Sequence, residues 1–152
     1  TSHKVFSEAE IRSRYEITLD NYCKTIIIEA NTMVDMARTE IAPAVEAYAL
    51  SLARTAAAKK ALDKDILCGY ESRLVKKLSA LTDRISVKTD ELEQALIDLK
   101  GIEDIGEQAN AIRDIVLIKM NELRLACDEA EVITAKKYWP FPTYGDLLFG
   151  VK

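Results

Sequence analysis

The sequence predicts an all-α protein, an antiparallel bundle of three long helices with the first kinked near Pro43, followed by an aromatic, proline-bearing C-terminal tail. Three observations predict it. Apolar residues recur at spacings of three and four over most of the chain, the period of one helix face. Only 5 Gly and 3 Pro interrupt 152 residues, so little turn chemistry is available to break long elements. Hydrophobic residues make up 49% and charged residues 30%, which separates the chain from disordered sequences and suits a single domain with one core.

The first helix should begin at Ser7-Glu8-Ala9-Glu10, a capping box in which the serine hydroxyl takes the N3 amide and the glutamate reaches back to the cap amide. Downstream, Leu19, Tyr22, Ile26, Ala30, Met33, Ala37, Ile41, Ala44, Tyr48 and Leu52 fall on one stripe that runs straight through Pro43. Proline removes the hydrogen bond to the Thr39 carbonyl, so the sequence predicts a kink or brief break there; no Gly or Asn is present to reverse the chain. Helix over residues 7–62 would span ~80 Å at 1.5 Å per residue.

A second helix over 70–100 carries Leu74, Leu78, Leu81, Ile85, Lys88, Leu92, Ala95 and Leu99 as a heptad seam. Gly101 and Gly106 bracket a short connection, and a third helix over 105–137 turns Ile105, Ala109, Ile112, Val116, Leu123, Cys127 and Ala130 inward. Short connections favour antiparallel neighbours, giving a bundle over 1–137 and a tail over 138–152. The hairpin would be ~45 Å long, which leaves ~35 Å of the first helix without a partner from it. That excess contains Cys23, Ile26, Ile27, Ile28, Met33 and Val34, apolar on two sides, and is expected to meet another domain or subunit. The plainer alternative is a fourth bundle helix after a sharp bend at Pro43.

Charge excludes some function classes. A net charge of −4 with acidic and basic residues interspersed argues against nucleic acid or an anionic membrane as partner. No apolar run approaches the ~20 residues of a membrane helix, and the start has no signal-peptide layout. Cys23, Cys68 and Cys127 are odd in number and widely spaced, which reads as reduced, cytoplasmic thiols. The chain does not begin with Met, so a piece of a longer protein is expected.

No residue pattern nominates a catalytic, cofactor or metal site. The single histidine, His3, lies ahead of the first helix and reads as a solvated terminal residue; without it the Glu-x-x-His pairs of carboxylate-bridged metal bundles cannot form. Nor does any cysteine have a histidine to activate it. Many carboxylates sit at helical spacing from Lys or Arg, as on a solvated face. Gly145 and Gly150 have the spacing of a phosphate loop, but Val151-Lys152 stands where Lys-Ser/Thr must follow.

The tail is the informative stretch. Residues 137–149 hold half of the chain's ten aromatic residues and two of its three prolines. Pro140 and Pro142 enforce extended backbone, after which Thr143 could cap a short turn with Asp146 at N3. Such a tail either packs over the end of its own bundle or straps onto a neighbour. The candidate interface residues are therefore Ile26, Ile27, Ile28 and Met33 of the first helix and Trp139, Phe141, Tyr144 and Phe149 of the tail. A second reading is an independent coiled-coil-like interaction module.

The tail Trp139-Pro-Phe-Pro-Thr-Tyr-Gly-Asp-Leu-Leu-Phe149 resembles the C-terminal end of type III glutamine synthetases, the large bacterial form of that enzyme. A second stretch agrees: Arg14-Tyr15-Glu16 through Asn21-Tyr22, then Ile28-Glu-Ala-Asn-Thr-Met-Val-Asp-Met-Ala37 and Ile41-Ala-Pro-Ala-Val45 with Tyr48, is similar to the helical region after the catalytic part. The resemblance implies the C-terminal portion of an ATP-dependent glutamate–ammonia ligase that works through γ-glutamyl phosphate with Mg or Mn. It implies that the active site lies in upstream domains, that no catalytic residue transfers to this chain, and that its partners are the catalytic domain and neighbouring subunits of a cytoplasmic homo-oligomer.

Overall fold

The computed structural model describes residues 7–142 and 144–150, and among them every regular element is helical. His3, Thr143 and Lys152, each given a reading from sequence, lie outside the described residues. Helix α1 (Glu8–Met36) starts at the capping box: the Ser7 hydroxyl accepts the Glu10 amide at 3.2 Å and the Glu10 carboxylate accepts the Ser7 amide at 2.8 Å. The chain stays helical to the end of α2 (Ala42–Leu62), forming one continuous first rod.

At the proline the hydrogen-bond ladder changes instead of stopping. Ala37–Ile41 form a π turn in which the Ala42 amide donates to the Ala37 carbonyl, five residues back. The wider turn shifts the ladder off the i−4 spacing, where the ring of Pro43 would meet a carbonyl. It also re-phases the buried stripe. Ala30, Val34, Ala37, Ile41, Val45, Ala49 and Leu52 are buried, with three successive spacings of four across the turn, so Val45 and Ala49 take the inner positions expected of Ala44 and Tyr48.

Residues 63–68 end the first rod. Asp63 is extended (φ −154°, ψ 127°), and its carboxylate accepts the Asp65 amide at 2.8 Å. Helix α3 (Gly69–Leu99) follows, then α4 (Ile105–Ala111), a second π turn (Ile112–Val116) and α5 (Leu117–Ile133), the last three making the third rod. Asp104 caps α4 by accepting the Glu107 amide at 2.8 Å. Cross-helix ion pairs give the directions. Arg38 meets Asp90 and Glu93 while Lys59 meets Glu71; Arg84 meets Glu129 while Lys119 meets Glu91. Residue numbers rise along α3 as they fall along both of its neighbours.

One apolar cluster joins the three rods, and its largest fully enclosed side chains include Leu78, Ile85, Leu92, Ile112 and Leu123. The seam on α3 departs from a strict heptad. After Ile85 the next buried residue is Thr89, followed by Leu92, Leu96 and Leu99. Two adjacent spacings of four move Lys88 to the edge, a local unwinding of the seam. Thr89 tolerates burial because its hydroxyl donates to the Ile85 carbonyl at 2.7 Å within its own helix.

The third rod is shorter than the expected 105–137. Thr134 is extended (φ −82°, ψ 131°), and a turn in which the Tyr138 amide donates to the Ala135 carbonyl brings the tail back over the bundle. Tyr138 stacks at a tilt on Tyr48, ring centroids 5.3 Å apart, so ending the helix early is what lets the aromatic residues reach the first rod. A short helix α6 (Tyr144–Phe149) completes the described chain, with Lys136 bonded to Asp146 across the turn.

Candidate interaction surfaces

The groups that could do chemistry are engaged with one another. Glu91 and Glu122 each lie within 3.4 Å of both Lys88 and Lys119, a closed quartet across α3 and α5. The lysines hold both carboxyls below the usual carboxylate range. The Arg38 fork grips Glu93 with bonds of 3.0 and 2.7 Å and reaches Asp90 at 3.1 Å, tying the first π turn to α3. Glu71, buried at the end of the bundle, is bonded to Lys59 and lowered by it. Burial pushes the Cys127 thiol up to about 11 and raises that of Cys23, the opposite of what a nucleophile needs. Carboxylates clamped by ammonium and guanidinium groups do not fit a divalent-metal site, and no cluster of three or more ligating side chains occurs among the described residues.

The interface candidates divide into two sets. Ile26, Ile27 and Met33 are half-buried and pack against the core, and Ile28, 66% exposed, points away from it. The hairpin therefore covers more of the first rod than the expected ~35 Å excess allows, because α4 and the second π turn lie alongside α1. What remains without cover is residues 8–18, exposed throughout. Ile11, Tyr15 and Ile17 are the large apolar side chains there, and the sequence stripe, which began at Leu19, did not include them. In the tail, Trp139 and Phe141 meet edge to face at 6.4 Å and are half-buried against the bundle. Tyr144 and Phe149 belong to α6; their side chains lie outside the described part. Gly150 follows that helix at a point where a Cβ would collide with the Asp146 carbonyl, so a larger residue would force a shift there.

Two concave surfaces accompany these faces. A groove of about 330 Å³ between α3 and the third rod is lined mainly by Ala95, Leu99, Ile102, Ile115 and Val116, with Glu91 and Lys119 of the quartet at its rim. A notch of about 310 Å³ lies where α1 leaves the hairpin, between Tyr15, Leu19 and Tyr22 on one side and Gly106, Asn110 and Arg113 on the other. Neither is built like an enclosed catalytic pocket.

Comparison with known proteins identifies the setting. Residues 1–60, the first rod almost to its end, match the family model described as the glutamine synthetase C-terminal domain. The likeness continues past them. A glutamine synthetase of Butyrivibrio fibrisolvens is 35% identical over 100% of this chain. The chain matches the C-terminal domain of glutamine synthetases. The type-3 form is among the relatives: a type-3 glutamine synthetase of Dictyostelium discoideum is 27% identical over 95% of this chain, and a glutamine synthetase of Bacteroides fragilis is 25% identical over 96%. The chain spans only about a fifth of the length of these curated relatives, 22%, 20% and 21% respectively. The likeness to these relatives runs over all three rods and not over the 60 residues of the family model alone.

No helix among the described residues is long and apolar enough to cross a membrane.

Proposed function

We propose that this chain is the structural, oligomer-supporting C-terminal portion of a type III glutamine synthetase, and that it makes no bond itself. One observation carries the reading: likeness to glutamine synthetases extends over 95% or more of the chain while filling about a fifth of theirs. The parent enzyme would join ammonia to glutamate with ATP and a divalent metal, in the cytoplasm, with the metal and nucleotide held by its other four fifths. The side chains support that division of labour, since Glu71, Glu91, Glu93 and Glu122 are held by Lys and Arg partners and the thiols are buried. What the portion offers instead is rigid length and apolar surface, suited to contact with the catalytic part and with neighbouring subunits.

The test compares the full polypeptide that carries these residues with residues 1–152 alone, reading glutamate-, ammonia- and ATP-dependent phosphate release. Activity is expected in the full polypeptide, and none above a metal-free control in the 152 residues. An inactive full polypeptide, or turnover by the short chain, overturns the reading. Sedimentation velocity of the full polypeptide should show a homo-oligomer that dissociates when residues 1–152 are removed.

A further inference from the structure

We propose that residues 134–142 are a two-state strap, docked over the first rod as seen here and released when α5 continues through Thr134 to Tyr138. The device depends on hydrogen bonds within this chain, so it stands or falls apart from the functional reading. Its mark is one side chain. Seven threonines lie within the described helices, from Thr18 to Thr89, and each donates its hydroxyl to the carbonyl four residues back, at 2.7–3.1 Å. Thr134 is the exception: it is 7% exposed, and its hydroxyl has no hydrogen-bond partner in the described chain. A hydroxyl buried in this way loses its water and gains no bond in exchange.

The orphan sits where the helix stops against its own sequence. Leu123, Cys127, Ala130 and Thr134 are all buried and follow one another at spacings of four, three and four, so Thr134 continues the inner stripe of α5. Ala135, Lys136 and Lys137 beyond it are good helix formers. The first residue that a helix interior refuses is Pro140, which also biases Trp139 away from helix. Helix is thus open to the chain as far as Tyr138, yet Thr134 is extended at φ −82° and ψ 131°. One more turn of α5 would set its hydroxyl beside the Ala130 carbonyl, the arrangement every helical threonine here adopts.

What holds the docked form lies at the far end of the strap. Tyr138 stacks on Tyr48 with ring centroids 5.3 Å apart, and Trp139 and Phe141 are half-buried against the bundle. Near the hinge the backbone has little: the Tyr138 and Trp139 amides close two turn bonds, to the Ala135 and Lys136 carbonyls. The two arrangements exclude each other, because a helix that runs straight through Thr134 does not make the turn that brings Tyr138 to Tyr48. Each satisfies the groups the other leaves wanting, hydroxyl against aromatic rings, which is the condition for a bistable element. Release uncovers the face of α2 around Tyr48 and frees Trp139 and Phe141 together.

The experiment uses the full polypeptide that carries these residues, with Phe141→p-trifluoromethylphenylalanine as a fluorine probe for NMR. The released share is read as the area of a second resonance, or as the displacement of an averaged one, towards the position seen when Tyr138→Ala removes the stack. Thr134→Val keeps the shape, removes the orphan from the docked form and removes the bond from the released one, so the released share should fall about fivefold or more. Thr134→Ser, which keeps the hydroxyl, should leave that share within about twofold of the parent. Lys136 supplies a second, independent arm. Lys136→Pro suits the second position of the turn from Ala135 to Tyr138 and bars helix, so it should lower the released share about tenfold or more. Lys136→Ala removes the same charge and its bond to Asp146 but favours helix, and should raise the share. A parent signal with no released component, an unchanged or larger share in Thr134→Val, or Pro and Ala at position 136 moving the share the same way overturns the proposal. Because Lys136 is exposed, that pair decides the matter even if position 134 does not tolerate valine.

Discussion

The two ends of the first rod are made of similar residues and behave differently. From Ala30 to Leu52 its small and branched side chains are sealed against α3 and α5, and the Arg38 fork fixes its π turn to Glu93. From residue 8 to residue 18 isoleucine and tyrosine stand in solvent. Amphipathic period alone does not separate the two. What separates them is the length of the hairpin alongside, so one end draws its stability from contacts within this chain and the other stays uncovered by it.

The contrast is sharpest in mutational stability. Leu92→Ala, at a fully buried position on α3, should cost about 3 kcal/mol through lost burial and a residual cavity. Thermal denaturation followed by circular dichroism should then show a Tm lower by roughly 6–12 °C. Tyr15→Ala should change the stability of the 152 residues by no more than about 0.5 kcal/mol. A large effect at Tyr15 would mean that the exposed end is structural after all.

A smaller effect is expected at the clamp. Arg38→Ala should cost much less than Leu92→Ala, because the guanidinium and its carboxylates are half exposed and screened. Arg38→Lys should recover only part of it, since a point charge cannot reproduce the two-pronged bond to Glu93. Full recovery in urea titrations would show that charge, not geometry, joins the π turn to α3.

Acid should loosen the same end of the contrast. Glu71, Glu91, Glu93 and Glu122 all have carboxyls lowered by their Lys or Arg partners. A lowered carboxylate contributes stability that is present above its unfolded value of about 4.3 and is lost as pH falls through its folded value. Denaturation midpoints should therefore be flat near neutrality and drop below about pH 4.5, with the drop reduced in Glu91→Gln. Unchanged acid sensitivity in that variant would remove the quartet from the account. A small effect is also expected for Pro43→Ala. The π turn already accommodates the exposed ring, so removing it should shift stability by under about 1 kcal/mol, against the ~3 kcal/mol of a proline in a regular helix interior.

Helix existence was legible because period and capping chemistry agree: Ser7 and Glu10 do what their spacing implies, and α3 begins and ends within a residue of the expected bounds. Phase was harder to read. A π turn adds a residue to the ladder with no compositional mark, and Ile112–Val116 has neither Gly nor Pro to announce it. Thr89 looks like a surface residue until its hydroxyl is seen bonded within the helix, whereas Lys88 looked central only because a strict heptad placed it there. The candidate surface was half legible. Three isoleucines in a row make the rod apolar on two sides in the sequence, but which of its residues stay uncovered depends on how far α4 reaches along it, a tertiary quantity.

The early end of the third rod has one practical consequence. Trp139 is the chain's single tryptophan, and it sits in the tail, half-buried against the core and edge-on to Phe141. Intrinsic indole emission therefore reports the docking of the last segment and almost nothing about the rods. Helical content, read in the far ultraviolet, reports the rods and almost nothing about the tail. The molecule carries two independent optical gauges, and a red shift in emission that precedes the loss of ellipticity would show the tail peeling away while the bundle stands.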